Sequence, residues 1–193
     1  NDDNNIILFN GEIYNYKEIE NIDSDTKVLF NMFNKYDFKT LINKLDGMYA
    51  FVYFNSKKNN IYVSRDLQGE KGLYYYKDDN KIIFSSELGP ILNYLGEKEI
   101  DVNILKRYFF TRHLIAFKNT IYKNIYLLEQ GENLVIDLNT NNIINQFKID
   151  IGDFVSKELL EKYKAMDNDK LENILDILLE KNITQMLPKT RFS

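Results

Sequence analysis

Cysteine and tryptophan are absent from this 193-residue chain, histidine occurs once and proline twice. Without cysteine these residues hold no disulfide and no thiolate metal site. A single histidine, His113, excludes a histidine-based zinc site. Beside a helix end it reads as a packing or capping residue. Long apolar runs are also missing, so no segment reads as a membrane span, and no secretory leader is visible. The cytoplasm is the expected location. Lys and Arg total 25 against 29 Asp and Glu, a net charge of -4, with no basic stripe; nucleic acid is therefore not an expected partner.

What remains is a globular composition, 44% hydrophobic and 28% charged. The length allows one ordinary domain with a full core and part of another. The chain opens on Asn1 rather than Met, and Lys189–Ser193 reads as an interrupted strand. Both ends are expected to be cut from something longer.

Hydrophobic periodicity divides the chain into elements. Ile6–Phe9 predicts a buried strand that stops at the polar triplet Asn10-Gly11-Glu12. Asn15 is the expected N-cap of a short helix, Tyr16–Glu20. Ser24 or Asp25 caps the next, Thr26–Tyr36, with Val28, Leu29, Met32 and Phe33 inward. A third helix, Phe38–Leu45, would stop at Gly47 in a left-handed conformation. Two hairpins follow, Met48–Phe54 with Ile61–Arg65 and Leu73–Lys77 with Lys81–Ser85; their aromatics are assigned to packing. Ser86 is expected to cap a helix to Leu95, with Pro90 in its first turn. Asp101 caps Val102–Thr111, whose Ile104, Leu105, Tyr108 and Phe109 sit at core spacing. Strands are expected over Thr120–Leu128, Gly131–Leu138 and Ile143–Ile149. Past Asp150 the texture becomes helical, Lys157–Met166 and Asp169–Leu187 before Pro188. Ile174, Leu175, Leu178, Leu179 and Ile183 read as an ordinary core stripe. The chain thus divides into 1–150 and 151–193.

The triplet after the first strand is the candidate site. Asn10 offers an amide donor and Gly11 a backbone N–H that nothing shields. Two adjacent donors of that kind can form an oxyanion hole for acyl transfer. Glu12 adds an anion able to receive a substrate ammonium. From these residues alone an Asn-Gly turn with a solvated Glu12 is the plainer reading, and Asp25 is equally an N-cap. Arg65 and Asp66, as strand neighbours, face opposite sides, cannot readily work on one substrate, and read as a structural pairing at the strand end.

Phe9-Asn10-Gly11-Glu12-Ile13-Tyr14-Asn15 resembles the signature of the glutaminase domain of asparagine synthetases, within the class II glutamine amidotransferases. Further motifs follow in family order: Ser24-Asp25-Thr26, Leu45-Asp46-Gly47-Met48-Tyr49-Ala50-Phe51, Arg65–Lys71 and Phe84-Ser85-Ser86-Glu87. The resemblance spans about Phe9 to Phe192. It departs at Gly72, where the family usually carries proline. The resemblance implies an α+β, N-terminal-nucleophile hydrolase-like αββα sandwich of antiparallel sheets, incomplete here, with 151–193 beginning an ATP-dependent synthetase domain. It implies Asn10 and Gly11 as oxyanion-hole residues, and Glu12 and Asp25 as ligands of glutamine's α-amino group. The cysteine nucleophile, an arginine-bearing loop and the sites for ATP and Mg2+ would lie outside this chain. Glutamine, and aspartate and ATP through the other domain, are the implied partners, and a homodimer is among the assemblies it allows. The alternatives are an inactive amidotransferase-like interaction module, or a relative that amidates sugars or forms lactams.

Overall fold

The computed structural model describes residues 4–112 and 118–187; His113 and the segment from Pro188 lie outside them. Eight strands form two antiparallel sheets. The first five of them in chain order are β1 (Ile6–Ile13), β2 (Gly47–Asn55), β3 (Asn60–Arg65), β4 (Tyr74–Lys77) and β5 (Ile82–Ser85). The remaining three are β6 (Ile125–Leu127), β7 (Glu132–Asp137) and β8 (Asn142–Lys148). The larger sheet runs β1-β2-β3-β7-β8 and the smaller β5-β4-β6. Helices α1 (Tyr16–Ile19), α2 (Asp25–Lys35) and α3 (Phe38–Ile42) separate β1 from β2. After β5 come α4 (Leu88–Leu95) and α5 (Val102–Thr111), and after β8 come α6 (Lys157–Lys164) and α7 (Asn168–Met186).

Strand alternation divides β2 between two cores. Tyr49, Phe51 and Tyr53 point into the layer shared with Val28, Leu29 and Met32 of α2 and Leu41 and Ile42 of α3. Phe33 stacks on Tyr53 with ring centroids 3.7 Å apart. Ala50 and Val52 point the other way, onto Leu73, Tyr75 and Leu128 of the smaller sheet's side. The outer face of that sheet meets α4 through the fully buried Ile91. The layers are helix, sheet, sheet, helix, and the strand aromatics do the packing expected of them.

Several expectations are corrected. β1 does not stop at Phe9; it continues to Ile13, so the polar triplet is inside the strand, with Asn10 opposite Ala50, Gly11 opposite Tyr49 and Glu12 opposite Met48. The continuation depends on two glycines. A Cβ on Gly11 (φ +140°) would lie 2.0 Å from the Met48 carbonyl oxygen, and one on Gly47 (φ +159°) 2.2 Å from that of Glu12. Gly47 is therefore not a helix stop; α3 ends at Ile42 and Gly47 opens β2 opposite Ile13. Asn15 makes no side-chain cap to α1. It braces the loop before β2 instead, donating to the Lys44 carbonyl and accepting from the Asp46 N–H. The expected strand 120–128 is ordered as β6 only over its last part, with isolated bridges at Tyr122 and Asn119 before it.

Two helices keep their spacing but not their burial. In α5, capped by Asp101 as expected, only Ile104 is buried, and Phe109 is 72% exposed. In α7 no residue is buried, so the stripe read as core, including Leu175, Leu179 and Ile183, faces outward among the described residues. Periodicity reports that a helix has an apolar face, not that a partner covers it.

Candidate functional site

β1 is the terminal strand of the larger sheet, and its outer edge carries the site. The Tyr14 N–H donates to the Asp46 carbonyl on the β2 side at 2.7 Å, whereas the Ile13 N–H points away from β2, to Asp25 Oδ2 at 3.3 Å. Backbone groups in an antiparallel ladder alternate with period two. Gly11 therefore presents its N–H to the same open edge as Ile13. The side chains of Asn10 and Glu12, two residues apart, share one face, and both are exposed.

Asn10 Nδ2 donates to Ser86 Oγ at 3.2 Å, across 76 residues of chain. The two residues rim a cavity of about 120 Å³ walled by Leu8, Ala50, Leu73 and Phe84. Ser86 is thus not the helix cap that its position suggests: α4 has Glu87 as N-cap with no side-chain bond. What led to the wrong role was a hydroxyl just before a helical run. The signal for the right one lay in the motif Phe84-Ser85-Ser86-Glu87, which periodicity does not interpret.

Asp25 is likewise displaced from the cap role. Ser24 is the N-cap of α2, accepting from the Lys27 N–H. The Asp25 carboxylate accepts from the Thr26 N–H and Thr26 Oγ1 through one oxygen, and through the other from Ile13 of β1. That last contact brings α2 to the end of the strand that carries Asn10, Gly11 and Glu12. A second residue beyond the expected set is Tyr14. Burial pushes its phenol above the usual range, and the negative charges of Glu70, Glu12, Asp46 and Asp66 push it further. The phenol stays protonated at neutral pH.

Arg65 and Asp66 serve the loop behind the candidate site, but each through backbone partners of its own rather than through the pairing expected at the strand end. Arg65 donates to three carbonyls, those of Lys71 and Leu128 at 2.6 Å and Gly69 at 2.5 Å. Asp66, 1% exposed, accepts from the backbone N–H groups of Gln68, Glu70 and Lys71. Among the described residues no group of three or more Asp, Glu or His is placed to hold a metal ion, and no helix is long and apolar enough to cross a membrane.

The family described as glutamine amidotransferase domain matches residues 1–148. A putative asparagine synthetase (glutamine-hydrolyzing) 2 of Methanocaldococcus jannaschii is 38% identical over 177 residues, 86% of this chain and 33% of its own length. Asparagine synthetase (glutamine-hydrolyzing) 1 of Bacillus subtilis is 32% identical over 140 residues, 67% of this chain and 22% of its own. The chain spans about a third or less of these relatives. Among solved structures, the glutamine phosphoribosylpyrophosphate amidotransferase of B. subtilis superposes with a TM-score of 0.53 at 17% identity, over 76% of this chain and 29% of that one. At that identity the likeness is one of fold: N-terminal-nucleophile hydrolase-like, with antiparallel sheets not closed at the β1 edge.

Proposed function

The chain belongs to the glutamine amidotransferase domain family, and from that premise we propose that it is the glutamine-hydrolysing half of a glutamine-dependent asparagine synthetase. The observation that carries the reading is the edge of β1. An Asn amide and a neighbouring backbone N–H are adjacent there, with carboxylates from Glu12 and Asp25 at the same strand end. Hydrolysis of glutamine's side-chain amide places negative charge on the carbonyl oxygen as a nucleophile adds to its carbon. Asn10 and Gly11 supply donors for that oxygen. Glu12 and Asp25 supply charge for the α-ammonium. The cysteine that would attack belongs to sequence outside these residues.

In this reading residues 1–150 form the glutaminase domain and 151–193 begin the synthetase. ATP, Mg2+ and aspartate would bind in the rest of the synthetase domain, outside these residues, and no residue of this chain is assigned to them. A cytoplasmic location and a homodimer belong to the same reading. The relatives' printed names support aspartate as the acceptor over a sugar or a lactam precursor.

The test uses the full-length protein that carries this chain. With glutamine, ATP and aspartate it should form asparagine and release ammonia from glutamine. Asn10→Ala should lower kcat on the order of a hundredfold with little change in KM, because its bond strengthens only as charge develops. Glu12→Ala and Asp25→Ala should chiefly raise KM, since their ion pairs exist before reaction. An Asn10→Ala effect confined to KM would sink the assignment.

A further inference from the structure

Resting on the reading of Asn10 as an oxyanion donor, we propose that Ser86 is a positioning residue that aims the Asn10 amide. An Asn amide nitrogen carries two hydrogens. One is taken by Ser86 Oγ at 3.2 Å, which leaves the other free and fixes the plane in which it points. A donor on the exposed face of an edge strand would otherwise sample several rotamers, and catalysis by charge stabilisation depends on a donor already in place.

Three local features set the serine to this task. The turn before α4 satisfies itself without Ser86, because Ser85 Oγ accepts from the Glu87 N–H. The helix begins at an N-cap, Glu87, that makes no side-chain cap bond, so the Ser86 hydroxyl is not spent on the helix. Its backbone is bounded on the other side by Gly72, where an added Cβ would stand 3.1 Å from the Ser86 carbonyl oxygen.

The experiment compares Ser86→Ala and Ser86→Thr in the full-length protein. Ser86→Ala should lower kcat for glutamine hydrolysis on the order of three- to tenfold, the share of one ordinary hydrogen bond. KM should stay constant, and Ser86→Thr should restore most of the rate. In an Asn10→Ala background Ser86→Ala should cost nothing further, because there is no amide left to aim. A Ser86→Ala cost that persists in that background, or one that appears in KM, overturns the proposal. A second measurement is independent of activity. In protein labelled with 15N-asparagine, the Asn10 side-chain amide pair is identified by its loss in Asn10→Asp. It should shift upfield and exchange faster in Ser86→Ala but not in Ser86→Thr. Unchanged resonances overturn the contact. A wild-type protein that releases no ammonia while its Asn10 resonances respond to Ser86→Ala would instead overturn the functional reading and leave the contact established.

Discussion

Neighbouring residues of one short motif answer to different demands. Asn10 is exposed, and its loss should leave stability nearly unchanged. Gly11 has no such latitude: its missing Cβ is the space taken by the Met48 carbonyl, and its φ of +140° is one that L side chains rarely adopt. Gly11→Ala should destabilise the fold by about 2 kcal/mol or more, read as a lower urea midpoint at constant m. Asp66→Ala should cost a similar amount, about 2–4 kcal/mol, because three backbone N–H groups would lose their acceptor at a site 1% exposed. Asn10, Gly11 and Glu12 could be singled out in the sequence because they are contiguous and their spacing is fixed by the strand. Ser86 was not: its partner is 76 positions away, and a serine before a helix has a local use that satisfies any reading from sequence alone.

Among the elements, type was more legible than extent. Asn, Gly and Glu are poor strand formers, so local preference ends β1 at Phe9; pairing with β2 and the two facing glycines carry it to Ile13. The caps that were read correctly are those whose side chain can only reach its own helix, such as Asp101 on α5. Asp37 on α3 is a cap that the sequence reading did not assign, and it gives a pH dependence. The Thr40 hydroxyl, and then its backbone N–H, hold the Asp37 carboxyl below the usual carboxylate range. A carboxyl lowered in the folded state contributes stability that is present above its unfolded pKa of about 3.9 and fades as pH falls through the folded value. The acid side of the melting-temperature profile should therefore be flatter in Asp37→Asn, which keeps the cap but has no proton to gain. An identical acid slope in both proteins would remove Asp37 as a source.

For the molecule as a whole, the described residues combine a well-filled layered core with helices that leave apolar faces in water. Phe109, Phe110, Leu175 and Leu179 are each at least half exposed. The isolated chain should self-associate in a concentration-dependent way, and Leu175→Glu with Leu179→Glu should shift sedimentation toward monomer. A monomer at all concentrations would show that these faces are tolerated. The bond from Asn10 to Ser86 has a separate consequence, because one partner belongs to the larger sheet and the other directly follows β5 of the smaller one. Whatever favours the aimed amide also favours the docking of the two sheets, by the reciprocity of linked equilibria. A compound that mimics the tetrahedral adduct should then slow hydrogen exchange in β4 and β5, which it does not touch, and a mutation that loosens β5 should weaken that compound.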